Sequence, residues 1–187
     1  MDYNNTPVIP TEEQSKLLWD EHHLPDAKRV HVSLVARVAE FIAGRLLDAG
    51  EVKALNLPLI LAASLLHDID KSIPKLPGER HPDTAVRVLR ARGMDEVADI
   101  VRTHSVHSIL DPSISPKSWE EKIVFLADKM VKNEVITVDK RFALWRDEHL
   151  PFETQKILDA CYPKVKSLES ELFSKIGIDP EDVTNLV

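Results

Sequence analysis

The stretch LPLILAASLLHDIDK, residues 57–71, decides how the rest of the chain is read. Residues Leu57 to Leu66 are almost wholly apolar, and they run without a break into His67, Asp68, Asp70 and Lys71. An apolar run of this length, with Pro58 at its start and no alternation of polar residues, predicts a buried helix from about Pro58 to about Asp70. A carboxylate carried into a core without a partner costs several kcal/mol even after relaxation. Such a carboxylate must either find a cation or be protonated.

Similar patterns flank it. Residues Asp26 to Leu47 read as a helix with Val30, Leu34, Val38, Phe41 and Ile42 on one stripe and Gly50 as its stop, and His31 sits beside that stripe. Pro74, Pro77 and Gly78 mark a loop. HPDTAVRVLRARG, residues 81–93, reads as a helix with Pro82 in its first turn, Gly93 past its end and His81 at its mouth. Another helix runs from Asp95 to about His104, with Val97, Ile100, Val101 and His104 on one face. Ser118 and Glu121 form a capping-box pattern that opens an apolar helix holding Asp128. From Pro151 onward Ile157, Leu158, Cys161, Val165, Leu168 and Leu172 make a further stripe, read as core packing with a homodimer interface as the other use for such a face. Trp119 and Trp145 read as packing residues, and His22 and His23, next to Leu24 and Pro25, as an exposed loop outside any site. The fold class expected is all-α, since no strand-like alternation is long enough to build a sheet.

Composition narrows the chemistry. The chain has 187 residues, enough to bury a core in a single domain. Cys161 is the only cysteine, so an internal disulfide and a thiolate metal cluster are excluded, and any metal is held by nitrogen and oxygen. A net charge of −7 disfavours an extended nucleic-acid surface but leaves room for a small anion in a local cationic pocket. The first twenty residues carry Asp2, Glu12, Glu13 and Asp20 and no apolar block, and no run approaches the roughly 18 residues of a membrane span, so a soluble cytoplasmic protein is expected.

His31, the His67–Asp68 pair, His104 and Asp128 thus share one oddity: each puts an ionisable group on or beside a face assigned to the core. A divalent metal would satisfy them together, and imidazole with carboxylate suits Fe, Mn, Co, Ni, Mg or Zn.

A histidine, then an adjacent His-Asp pair, then a distant aspartate in an all-helical setting resembles the HD superfamily of metal-dependent phosphohydrolases, and LLHDIDK looks like its HDIG-type variant with Asp70 in place of the glycine. The resemblance implies a helical-bundle domain over residues 20–135; outside it lie an N-terminal segment (1–19) and, from the helical stripe after Pro151, a helical C-terminal extension (136–187) expected to pack on it. It implies His31, His67, Asp68 and Asp128 as metal ligands, and His81 and His104 as the additional histidines of dinuclear members, hence one or two divalent ions per chain. Asp68 would bridge, with Asp68 and Lys71 as the catalytic pair and Lys71 facing a substrate phosphate. His107, a loop histidine by its context, is the further candidate for a substrate contact. The implied activity is hydrolysis of a phosphate ester or anhydride of a nucleotide or similar small metabolite by hydroxide held on the metal. The same residue set also resembles that of di-iron oxygenases of the superfamily, and a non-catalytic nucleotide sensor would keep the ligands without turnover.

Overall fold

The computed structural model describes residues 8–186, and within them the chain forms nine α-helices, two short 3-10 helices and no sheet. The expected all-α class holds. The helices are α1 (Glu12–Glu21), α2 (Asp26–Asp48), α3 (Leu57–Leu66), α4 (Asp83–Arg90), α5 (Asp95–Thr103), α6 (Trp119–Lys129), α7 (Val138–Asp147), α8 (Phe152–Ile176) and α9 (Pro180–Leu186).

At the centre lies α3. Asn56 caps it by accepting from the Leu59 N–H, Pro58 occupies the first turn, and Ile60, Ala62, Ala63, Leu65 and Leu66 are buried all round. A helix apolar on every side belongs inside a core. Helix α2 lies along it, α5 and α6 flank it, and α1 closes over its end through Trp19, whose indole N–H donates to the Leu65 carbonyl at 2.8 Å. Because α1 includes both Asp20 and Trp19, it runs through the boundary drawn at residue 19.

The helix α3 ends at Leu66, earlier than the periodicity suggests. His67 is its C-cap, Asp68 turns the chain with φ −105°, and Ile69–Ser72 form a 3-10 turn. The apolar pattern continues through Ile69, so hydrophobicity alone misses the break. On α2 the buried stripe is Val32, Val35, Val38, Ala39, Ile42, Ala43 and Leu46, while Val30 is 53% exposed and Leu34 and Phe41 sit at the margin. Small alanines form part of the true face, allowing a close approach to α3, and a stripe drawn through the largest side chains is rotated away from it. Pro82 stands before α4 as its N-cap, not inside its first turn. Gly93, with φ +72°, follows the end of α4 as expected.

The capping box at Ser118 and Glu121 is formed at the start of α6, which buries Ile123 through Ala127. Helix α8 contributes Leu158, Cys161, Val165, Leu168, Leu172 and Phe173 to the same core, whereas Ile157 is exposed. Gly177 ends α8 in the left-handed region, with its N–H donating to the Phe173 carbonyl.

Candidate metal centre

Six of the residues singled out above meet at one place. His31 comes from the first turns of α2, His67 from the C-cap of α3, Asp68 from the turn after it, His81 from the loop before α4, His104 from the C-cap of α5, and Asp128 from the last turn of α6. Two of the four histidines are helix C-caps, where the side chain emerges from an apolar element at its polar end.

In each imidazole Nδ1 faces an oxygen outside the cluster. His67 Nδ1 lies 2.8 Å from the Ser64 carbonyl, His104 Nδ1 2.5 Å from that of Val101, and His31 Nδ1 3.2 Å from that of Lys132. His81 Nδ1 lies 2.9 Å from Asp70 Oδ2. Carbonyls only accept, so the Nδ1 of His31, His67 and His104 donates and Nε2 keeps its lone pair. For His81 the Asp70 carboxylate imposes the same tautomer; the Lys71 ammonium, 3.2 Å from Nδ1, is the more distant neighbour.

The four Nε2 atoms point inward. His31 and His67 Nε2 are 3.3 Å apart, and His81 and His104 Nε2 2.9 Å apart. In these tautomers neither nitrogen of a facing pair carries a hydrogen to share, and a cation between the lone pairs, a proton or a metal ion, reconciles them. Asp128 Oδ1 completes the first pair, 3.0 Å from His31 Nε2 and 3.5 Å from His67 Nε2. Asp68 Oδ1 lies 3.5 Å from His81 Nε2 at the second. The donors His31, His67 and Asp128 lie within 4.8 Å of one another, as do His67, Asp68 and His104. By donor chemistry the residues fit a divalent metal.

Cations ring the cluster. Lys28 Nζ is 2.8 Å from Asp68 Oδ2 and Lys71 Nζ 3.1 Å from Asp68 Oδ1. Burial disfavours the Asp68 charge, but His67, Lys71 and His104 outweigh it and hold the carboxyl below the usual range. Asp128 is likewise held well down against burial, by Lys129 and by the neighbouring His31 and His67. Lys129 is fully buried, reaching the Asp128 carboxylate and the His104 carbonyl at 2.6 Å. Burial drives His104 well below the ordinary imidazole value, and His67 and His81 add to it. For His67 burial alone would act in the same direction, yet Asp68 and Asp128 reverse it and raise the ring's affinity for positive charge.

The cluster floors a cavity of about 340 Å³. Lys71 lines it, and His107, exposed on the 3-10 turn after α5, stands at its edge. His22 and His23 lie elsewhere, with His22 3.5 Å from Arg92. Sequence reasoning passed over Lys28, Lys129 and Arg141, all of which line the same cavity. For Lys129 a signal existed, since a lysine directly after Asp128 in an apolar helix cannot reach water. Lys28 and Arg141 sit on half-exposed faces and read like any solvated residue.

A family model described as HD domain matches residues 30–132, more than half of the chain and all six clustered residues. No curated protein and no solved structure matches the chain significantly.

Proposed function

Because the chain belongs to the HD domain family, we propose that it is a metal-dependent phosphohydrolase acting on a nucleotide or similar small phosphorylated metabolite. The observation that supports this best is the convergence of four Nε2 lone pairs and two carboxylates, each histidine locked through Nδ1. His31, His67 and Asp128 would hold one divalent cation, and His81, His104 and Asp68 a second. When bound, such cations lower the pKa of water and neutralise charge on phosphate oxygens.

The chain's own residues complete the site. Lys28 and Lys71 flank Asp68 on the cavity wall and offer positive charge to an entering phosphate, Lys71 from the closer position to His81. Lys129 keeps Asp128 anionic inside the protein and fixes the end of α5 through the His104 carbonyl. His107 lines the same cavity and would contact the leaving group. The walls provided by α2, α3, α5 and α6 keep bulk water to one side.

The test is elemental analysis of the protein as purified, followed by phosphate release from a panel of nucleotides and phosphate esters with several divalent metals. Bound metal with turnover that chelation abolishes is the expected result. Nucleotide binding without phosphate release across the panel would replace the reading by a sensor, and bound iron with oxygen consumption would replace it by an oxygenase.

A further inference from the structure

Arg141, in the first turns of α7, has no hydrogen-bond partner at Nε or Nη1 among the described residues, although both atoms are closed off from water. A guanidinium without partners is costly, and such exceptions in a folded protein call for a reason. Its guanidinium carbon lies 4.4 Å from the centre of the Trp145 ring. Nε and Nη1 are covered, and it is the remainder of the side chain that lines two neighbouring spaces. One is the cavity over the His/Asp cluster; the other is an adjoining recess of about 220 Å³ that it shares with Lys28, His31, Lys132 and Asn133.

The charges of this recess are one-sided. Lys28, Lys132 and Arg141 line it and no carboxylate does, among the described residues. Lys28 is engaged by Asp68 at 2.8 Å and Lys132 by Glu148 at 2.9 Å. Arg141 makes no direct ion pair among the described residues; burial acts against its charge, and the more distant Asp128, Glu148 and Asp68 carboxylates favour it. The recess, lined by three cations, suits an anion, and it shares Lys28, His31 and Arg141 with the cluster cavity. A planar fork with two adjacent donors suits a phosphoryl oxygen pair better than a lone ammonium would.

We propose that Arg141 recognises a second phosphoryl group of the substrate, so that the substrate class is compounds with at least two linked phosphates, not monophosphates. The inference rests on the phosphohydrolase reading only for the seat of the first phosphoryl group, over the cluster.

The test uses the full chain as purified and two probes that are not turned over, methylenediphosphonate and methylphosphonate, with affinities read by calorimetry. The wild type prefers the diphosphonate by tenfold or more. In Arg141→Met that preference falls to within about twofold of unity, as expected from losing a charge-assisted pair, while methylphosphonate binding and metal content hold. Arg146→Met, on the exposed side of the same helix, leaves both unchanged. A purely structural role for Arg141 would lower the melting temperature and leave the preference intact, which overturns the proposal; so does a wild type that shows no preference. Should Arg141→Met not fold, phenylglyoxal labelling of the wild type decides the matter: the diphosphonate protects Arg141 and methylphosphonate does not, and equal labelling overturns the inference. A chain that discriminates between the probes but releases no phosphate sinks the hydrolase reading and keeps the role of Arg141. Hydrolysis of monophosphates without discrimination does the reverse.

Discussion

Asp70 stands one residue outside the six that converge, and it governs one of them. Its buried carboxylate lies 2.9 Å from His81 Nδ1 and so orients the ring that closes the second half of the cluster. Partners of this kind commonly set metal affinity by about 10–100-fold. Asp70→Asn should therefore weaken the second equivalent of metal by roughly that factor and leave the first unchanged, as measured by titration calorimetry. Asp68→Ala should do more, abolishing turnover and lowering metal content while the helical circular dichroism persists. Lys71→Ala should keep its metal and lose about 1.5–3 kcal/mol of transition-state or substrate binding, read from kcat/KM. Near-wild-type turnover and metal content in Asp68→Ala would remove the assignment of this motif. Five of the six clustered residues were legible because an ionisable group on or beside the core face of an apolar helix contradicts its surroundings; His81, at a helix mouth, entered only through the family resemblance. Asp70 was visible as a departure from the HDIG pattern, yet its partner was not, since His81 is eleven positions away across a loop. Arg141 gave no such contradiction in one dimension; its place is visible only once the fold brings it to the same recess as Lys28 and His31.

Among the elements, α6 shows how local chemistry aims a functional group. The Ser118 hydroxyl accepts from the Glu121 N–H and the Glu121 carboxylate accepts from the Ser118 N–H, which fixes the start of the helix and hence the turn on which Asp128 emerges ten residues later. Ser118→Ala should cost about 1 kcal/mol and lower the melting temperature by about 2–4 °C, with metal content at saturation unchanged. This element was readable because both partners of the box lie within one turn. The termination of α3 was not, because it depends on Asp68 and His67 finding partners on other helices, and a continuous apolar pattern carries no trace of that. The face of α2 was read only in part: Val38 and Ile42 are buried as expected, but Ala36, Ala39 and Ala43 belong to the buried face too, while Val30 is exposed.

On the scale of the whole molecule, the helices that carry ligands do not form a closed core by themselves. Helix α8 supplies Leu158, Val165, Leu168, Leu172 and Phe173 to the interior shared with α2 and α6. Each such side chain contributes roughly 1.5–3 kcal/mol by its burial, so their combined loss is of the same order as the whole stability of an ordinary domain. A chain truncated after Leu150 should be unfolded or aggregated, without a cooperative melting transition, even though every residue of the cluster is retained. A soluble truncated form with full metal content would show that the cluster's helices suffice.

Cys161 sits in the middle of that helix, fully buried, with its thiol pushed up to about 11 by burial. Only the thiolate attacks a disulfide reagent, and at pH 8 the native chain holds about a thousandth of its thiol in that form, and that fraction behind closed walls. Being the only sulfhydryl in the sequence, it makes the molecule its own clock. The rate at which a chromogenic disulfide labels the untouched protein counts the openings that lift α8 from the core, and comparing that rate with and without added metal measures how far occupancy of the cluster slows the breathing of α8.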